Sequence, residues 1–244
     1  MSTAVATNIA TVPPPTSISS NLEPGLADIV IRSRQTVLEI LEMRGYDTTV
    51  YQNIAPEQLL TLADSTSRAL DVFVPKREGS EAPCDRAVVV HFLNERIRTR
   101  LVSLRNTIYS GPTNPTGADP TGANAIKLGD DVIVIVNEPY HDDFDKVSLE
   151  VWQQERARMV FFHIKSLVVN PARHVLVPPH RKLTVDEAKA AMERLHVTSK
   201  VQLPTIRHFD VQARVLGLVP GDIVEILRPS PTSGVARVLR ACTA

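Results

Sequence analysis

The sequence predicts an α+β (mixed α/β) fold in two domains, and three observations carry that prediction. Short runs of branched apolar residues suited to strands, such as 87–93 and Asp131–Val136, alternate with longer stretches whose apolar residues recur at helical spacing. Pro and Gly punctuate the last third of the chain into brief strand-like pieces. At 244 residues, 43% hydrophobic and 22% charged, the chain can bury two modest cores. The expected division is a disordered tail over 1–25, a first domain over 26–165 with a flexible insertion at 110–125, and a second domain over 166–244.

Each element has a local reason. The opening segment is rich in Ala, Thr, Ser and Pro and has no apolar periodicity, so it reads as a tail. Order is expected near Leu26, where Ile29, Val30, Val37, Ile40 and Leu41 share one helical face and Gly45 ends the helix. A second short helix starts around Pro56 and carries Leu59, Leu60 and Leu62. Residues 76–84 read as a polar loop and 87–93 as a buried strand. Residues 94–108 follow as an amphipathic helix with Arg96, Arg98, Arg100 and Arg105 on its outer face. The repeated Pro-Thr-Gly of 111–122 holds no regular structure, and its prolines lack the N–H donors of a phosphate cradle. Asp131–Val136 is a strand, Asp142, Asp143 and Asp145 occupy a turn, and 148–163 is a helix carrying Trp152, Phe161 and Phe162.

In the last third, Thr184 and Glu187 form a capping box that starts a helix at Val185. Val185, Ala188, Met192 and Leu195 give that helix its apolar face, and it is over by Pro204. Val219-Pro220-Gly221-Asp222 suits a type II turn. Two β-rich runs, 223–228 and 235–240, flank a turn over 229–234 and predict an antiparallel hairpin with Gly234 at positive φ.

The ordered series in this stretch resembles a known family. It comprises residues 167–170, His174, 176–178, His180, Leu183, 202–204, Ile206, Asp210, 216–218, Gly221, Val224, Ile226, Arg228, Ser230, 232–234 and Arg240. This stretch is similar to the C-terminal assembly domain of the fifth-largest common subunit of eukaryotic nuclear RNA polymerases, and to the small archaeal subunit of that type. Arg44-Gly45-Tyr46 resembles the end of the first helix of the family's N-terminal jaw domain. The resemblance implies a jaw domain and an assembly domain, each with a small mixed sheet and helices. It implies a non-catalytic subunit, one copy per complex, that docks on the largest subunit beside other polymerase subunits in the nucleus, or the nucleolus if dedicated to the ribosomal-RNA polymerase. It places the jaw near downstream duplex DNA. The expected partner contacts are His174, Val177, Pro178, Pro204, Ile206, Arg207, Arg228, Thr232, Ser233 and Gly234, and the expected DNA-proximal residues are Arg96, Arg98, Arg100 and Arg105. Thr205, Pro220 and Pro229 stand where relatives usually carry basic residues, which points to a divergent lineage or a copy assigned to one polymerase. A free transcription-linked adaptor built on the same domain is the alternative.

Charge and chemistry bound the remaining readings. The chain is neutral overall, but residues 167–244 hold 11 Lys/Arg against 6 Asp/Glu, an excess that suits an acidic partner surface or nucleic acid. No apolar run reaches a membrane span and no secretory pattern opens the chain, so no membrane is expected. The two cysteines read as free thiols in a reducing compartment. A nuclease would use Asp131, but no Glu-x-Lys follows; the Asp142, Asp143 and Asp145 cluster lacks EF-hand spacing, and the histidines lack zinc spacing. No metal, cofactor or catalytic residue is expected.

Overall fold

The computed structural model describes residues 25–64, 69–93, 95–110 and 125–244. The expected tail and the Pro-Thr-Gly insertion lie outside the described residues. Helix α1 (Leu26–Met43) buries Leu26, Val30, Val37, Ile40 and Leu41, as their spacing predicts. It ends in a Schellman motif: Gly45 sits at φ +92, its N–H donates to the Glu42 carbonyl at 2.9 Å, and the Tyr46 N–H donates to Leu41 at 3.0 Å. Then come α2 (Pro56–Asp64), β1 (Val72–Pro75), β2 (Arg86–Phe92), α3 (Leu101–Ser110), β3 (Asp131–Val136), α4 (Asp142–Glu155) and β4 (Arg158–His163).

Up to His163, three details differ from the sequence expectation. Strand β1 was not foreseen; it pairs antiparallel with β2. The helix expected over 94–108 begins at Leu101, after a 3-10 turn at Arg98–Arg100. There the Glu138 carboxylate accepts the Ile97 and Arg98 N–H groups at 3.0 and 2.9 Å and holds the approach out of the helix. The helix expected over 148–163 instead starts at Asp142, stops at Glu155, and gives way to a strand. Arg156 turns left-handed at φ +56, and Met159 to Phe162 pair parallel with β3. Ladder hydrogen bonds there outweigh the helical spacing. Asp142, Asp143 and Asp145 fill the first turn of α4, where the helix dipole favours carboxylates.

The resulting sheet runs β1-β2-β3-β4, with β2, β3 and β4 parallel. Its residues alternate between two buried layers. Ala87, Val89, Ile133, Ile135 and Phe162 face α1 and α2. Val88, Val90, Val132, Val134, Met159 and Phe161 face α3 and α4. Helical cover on both faces explains why β2 and β3 read as near-continuous apolar runs.

A second four-stranded sheet follows: β5 (His180–Lys182), β6 (Thr205–Arg207), β7 (Ile223–Ser230) and β8 (Gly234–Thr243), in the order β5-β7-β8-β6. Between the strands lie α5 (Val185–Arg194) and α6 (Val211–Leu216). The capping box of α5 is present in both directions: Glu187 N–H to Thr184 Oγ1 at 3.2 Å, and Thr184 N–H to Glu187 Oε2 at 3.1 Å. Its expected apolar face is only partly used. Ala188 and Ala191 meet the sheet, with Met192 beside them, while Val185 is 86% and Leu195 50% exposed. Small alanines seat the helix close against the strands and leave the longer side chains at its margins. The type II turn forms as expected, with Gly221 at φ +100 and Asp222 N–H donating to Val219 at 3.0 Å. The β7–β8 hairpin closes at Ser230 and Gly234, and Gly234 sits at φ +67. Helix α6, too short to show periodicity, was not foreseen.

A buried guanidinium ties the two sheets together. Arg44, at the C-terminus of α1, donates from Nη1 to both carboxylate oxygens of Asp131 at 2.9 Å, and from Nε to the Val215 carbonyl at 2.9 Å. Its Nη2 donates to the Arg214 carbonyl. Tyr46 adds a hydroxyl to Asp131 at 3.2 Å, and burial, reinforced by Asp131, pushes that phenol well above its ordinary range. Gly217, at φ +62, gives the guanidinium room: a Cβ there would stand 3.0 Å from Arg44 Cζ.

Gly217→Ala is therefore expected to cost about 2–4 kcal/mol, about 1–2 from the left-handed backbone and the rest from disturbing a buried ion pair. Gly79→Ala, at φ +71 with nothing within 4 Å of its Cβ, should lose only the backbone part. Urea denaturation of the two variants checks this; equal losses would show that the Arg44 contact carries no weight.

Candidate docking groove

The second sheet has two unlike faces. Residues opposite one another in β7 and β8 share a face, so the rungs Val224–Arg240, Ile226–Val238 and Arg228–Ala236 point one way. Ile206 joins that face from β6, and His180 and Lys182 join it from β5. The segment before β5 passes over this face and closes a groove of about 400 Å³. Leu176, Val177 and Pro178 form one wall, Ile206, Ile226 and Val238 the floor, and Arg228 and Arg240 the rim.

Local hydrogen bonds fix the wall. Val177 N–H donates to the His174 carbonyl at 2.9 Å, and Leu176 N–H to His174 Nδ1 at 3.2 Å. His180 Nδ1 donates to the Pro178 carbonyl at 2.6 Å, and Leu227 N–H reaches Pro179 at 3.0 Å. The wall is held in shape, yet Leu176 is 82% exposed and Val175 beside it 91%, while Val177 and Pro178 are half-buried.

The expected partner residues fall into three groups. Val177, Pro178, Ile206 and Arg228 come together in the groove, although they lie far apart in sequence. His174 starts the wall, and Thr232, Ser233 and Gly234 form the exposed hairpin tip. Pro204 and Arg207 are exposed at the flank; Arg207 alternates with Ile206, so it leaves the groove face and lies over the Phe209 ring instead. Sequence reasoning used Ile226 and Arg240 for the resemblance without assigning them a contact, and it missed Val238. Neither strand shows a clean apolar–polar alternation, so only the pairing register puts the three on one face, and the groove lining joins them to Val177.

Charge also divides the faces. On the far face, Glu225 is 7% exposed and lies between Arg181 Nη2 at 3.2 Å and Arg237 Nη1 at 3.4 Å, while Arg181 also reaches Glu187 at 2.6 Å. That ladder neutralises itself. On the groove face, no carboxylate among the described residues pairs with Arg228 or Arg240; Arg240 donates only to the Thr205 carbonyl, at 3.0 Å. The one carboxylate lining the groove, Asp210, caps α6 by accepting the Gln212 N–H at 2.8 Å.

The basic residues at the other end of the molecule are less uniform than their spacing suggests. Arg96 and Arg100 are exposed and carry no ion pair among the described residues, whereas Arg98 donates to His141 Nε2 at 3.0 Å and lies 3.6 Å from Asp143. Arg105 is in α3, and its side chain lies outside the described residues. Among the described residues no cluster of three or more His, Cys, Asp or Glu is placed to hold a metal. Asp131, the nuclease candidate, is 1% exposed and has both oxygens on Arg44. Burial pushes the thiols of Cys84 and Cys242 up to about 11 and about 12, which leaves neither a nucleophile. No described helix is long and apolar enough to cross a membrane.

Comparison with known proteins points to the same stretch of chain. The family described as RNA polymerase Rpb5, C-terminal domain, matches residues 169–242, which contain every residue that lines the groove. The DNA-directed RNA polymerase subunit Rpo5 of Pyrococcus horikoshii is 52% identical over 66 residues, 27% of this chain and 79% of that protein. Rpo5 of Metallosphaera sedula is 43% identical over 72 residues, 30% of this chain and 86% of that protein. Subunit rpabc1 of DNA-directed RNA polymerases I, II and III from Dictyostelium discoideum is 28% identical over 222 residues, 87% of this chain and 96% of that protein. The chain belongs to the Rpb5/Rpo5 family of DNA-directed RNA polymerase subunits.

The far-face ladder gives a pH dependence. The Arg181 hydrogen bond and the Thr184 N–H hold the exposed Glu187 carboxyl below its ordinary 4.5. The unfolded chain therefore takes up this proton first. The stabilisation is complete above about pH 4.5 and declines as pH falls through the lower folded value. Glu187→Gln should flatten that acid limb, as read from thermal melts taken from neutral pH down to about pH 3.

Proposed function

We propose that the chain is a non-catalytic subunit of a nuclear DNA-directed RNA polymerase, present in one copy and docked on the largest subunit through the groove. The second sheet with its helices serves as the assembly unit, residues 166–244, and the first sheet as the jaw unit, residues 26–165. The observation that carries this reading is the groove itself: Val177, Pro178, Ile206 and Arg228 converge on one apolar, cation-rimmed face inside the stretch that matches archaeal Rpo5. A free adaptor that had borrowed only the assembly unit is disfavoured, because the Dictyostelium subunit aligns with 87% of the chain and so with both halves.

The jaw unit supports a contact with downstream duplex DNA through Arg96 and Arg100. Arg100 immediately precedes the first residue of α3, where the helix dipole disfavours cations, and no described carboxylate offsets it. Phosphates would supply the missing anion without selecting a base sequence. Arg98 contributes less, because His141 and Asp143 already engage it. RNA synthesis and its metal ions belong to the large subunits in this reading.

Purification of the tagged full-length chain through high salt tests the assignment. Two very large polymerase subunits should co-elute at equal stoichiometry, and elution of the chain alone would overturn it. Replacing Leu176, the exposed side chain of the groove wall, by Ser should weaken retention with an unchanged melting temperature. In the assembled polymerase, Arg96→Ala with Arg100→Ala should leave retention intact. It should also reduce the log–log salt slope of duplex DNA binding by about 2, since each phosphate contact contributes about 0.9.

A further inference from the structure

Resting on that docking assignment, we infer the chemistry of the segment the groove accepts: an extended stretch of the largest subunit with an apolar side chain at its centre and a carboxylate two residues to either side. The order of the rungs sets this pattern. Ile226–Val238 is the middle rung, Arg240 stands on the rung before it and Arg228 on the rung after it. Two rungs span four residues of strand, about 13–14 Å at the ordinary rise per residue. An extended segment lying along the ribbon repeats side chains toward the same surface every second residue. Its residues i and i+4 therefore meet the two cations, and residue i+2 meets the apolar floor.

One further observation favours a peptide over nucleic acid, and two more favour an acidic ligand. Leu176 and the half-buried Val177 and Pro178 stand over the floor, and only apolar side chains can cover them; a phosphodiester backbone has none to offer. The two guanidiniums lack internal carboxylates on a sheet whose other face neutralises its own charges. Asp210, the only acid lining the groove among the described residues, caps α6 through one oxygen and forms no ion pair with either guanidinium.

Charge reversal on the full-length chain tests this. Arg228→Glu with Arg240→Glu should reduce co-purification of the largest subunit at least tenfold in low salt, and the residual retention should no longer fall as salt rises. Arg228→Gln with Arg240→Gln should give an intermediate loss, and it keeps the test open if the reversed variant folds poorly. Arg207→Glu, on the opposite face, should be retained like the wild type. Undiminished retention of both double variants, with the wild type retained, overturns the inference and leaves the subunit assignment standing. So does a result in which they lose duplex DNA binding but keep the large subunit. Failure of the wild type to be retained overturns the assignment itself.

Discussion

The molecule depends on one buried cation being fully answered. Taking a guanidinium and a carboxylate out of water costs several kcal/mol per ion, and attraction repays that only when the remaining donors and acceptors are also satisfied. Arg44 meets the condition with acceptors from two other elements: both oxygens of Asp131 at the start of β3, and the carbonyls of Arg214 and Val215 in α6. The strand belongs to the first sheet, and the helix packs on the second. Helix α6 cannot leave its place against α1 without stranding a charge. The contact is reinforced around its edge, where Arg158 donates to the Gly217 carbonyl at 2.8 Å, Arg214 to Phe161 at 3.2 Å, and Val215 packs into the α1 core. The groove on the second sheet is thus held at a set position relative to the first.

The same ion pair removes the most plausible chemistry. An aspartate opening a strand of a mixed sheet is where a metal-dependent nuclease would place a ligand. Here Arg44 lies on both oxygens and Tyr46 on one of them, and the group has almost no exposure. A carboxylate satisfied by a permanent internal cation has no lone pairs facing solvent for a metal ion. The first sheet is a framework: apolar on both faces, with its charges used to join pieces together.

Features decided within a few residues were legible in the sequence. The capping box at Thr184 and Glu187, the turn at Pro220 and Gly221, and the left-handed Gly45 and Gly234 all follow from backbone preferences that no distant contact reverses. Features decided by pairing were not. Arg158–His163 carries helical spacing and becomes a strand because β3 offers a parallel edge. Val72–Pro75 is too short to announce itself without β2 beside it. The docking residues follow the same division. Val177, Pro178, Ile206 and Arg228 were reached through their resemblance to a known assembly domain. Ile226, Val238 and Arg240 join them only when the β7–β8 register is known, and that register also turns Arg207 away.

The second sheet also has the physical features that the proposed docking requires. A sheet needs cover on both faces unless one is polar. Helix α5 covers one face with alanines, and the Arg181–Glu225–Arg237 ladder settles the charges there. The other face is covered in part by α6, through Ala213 and Leu216, and beyond it only by a loop that leaves Val175 and Leu176 exposed. Burying a side chain of that kind is worth about 1.5–3 kcal/mol, which this chain forgoes at two adjacent positions. The Leu176 N–H bond to His174 and the His180 bond to the Pro178 carbonyl keep the loop from collapsing onto the sheet to recover it. The exposed apolar area is therefore preorganised: ordering entropy is spent in folding, and an incoming segment gains the burial without having to shape its own site.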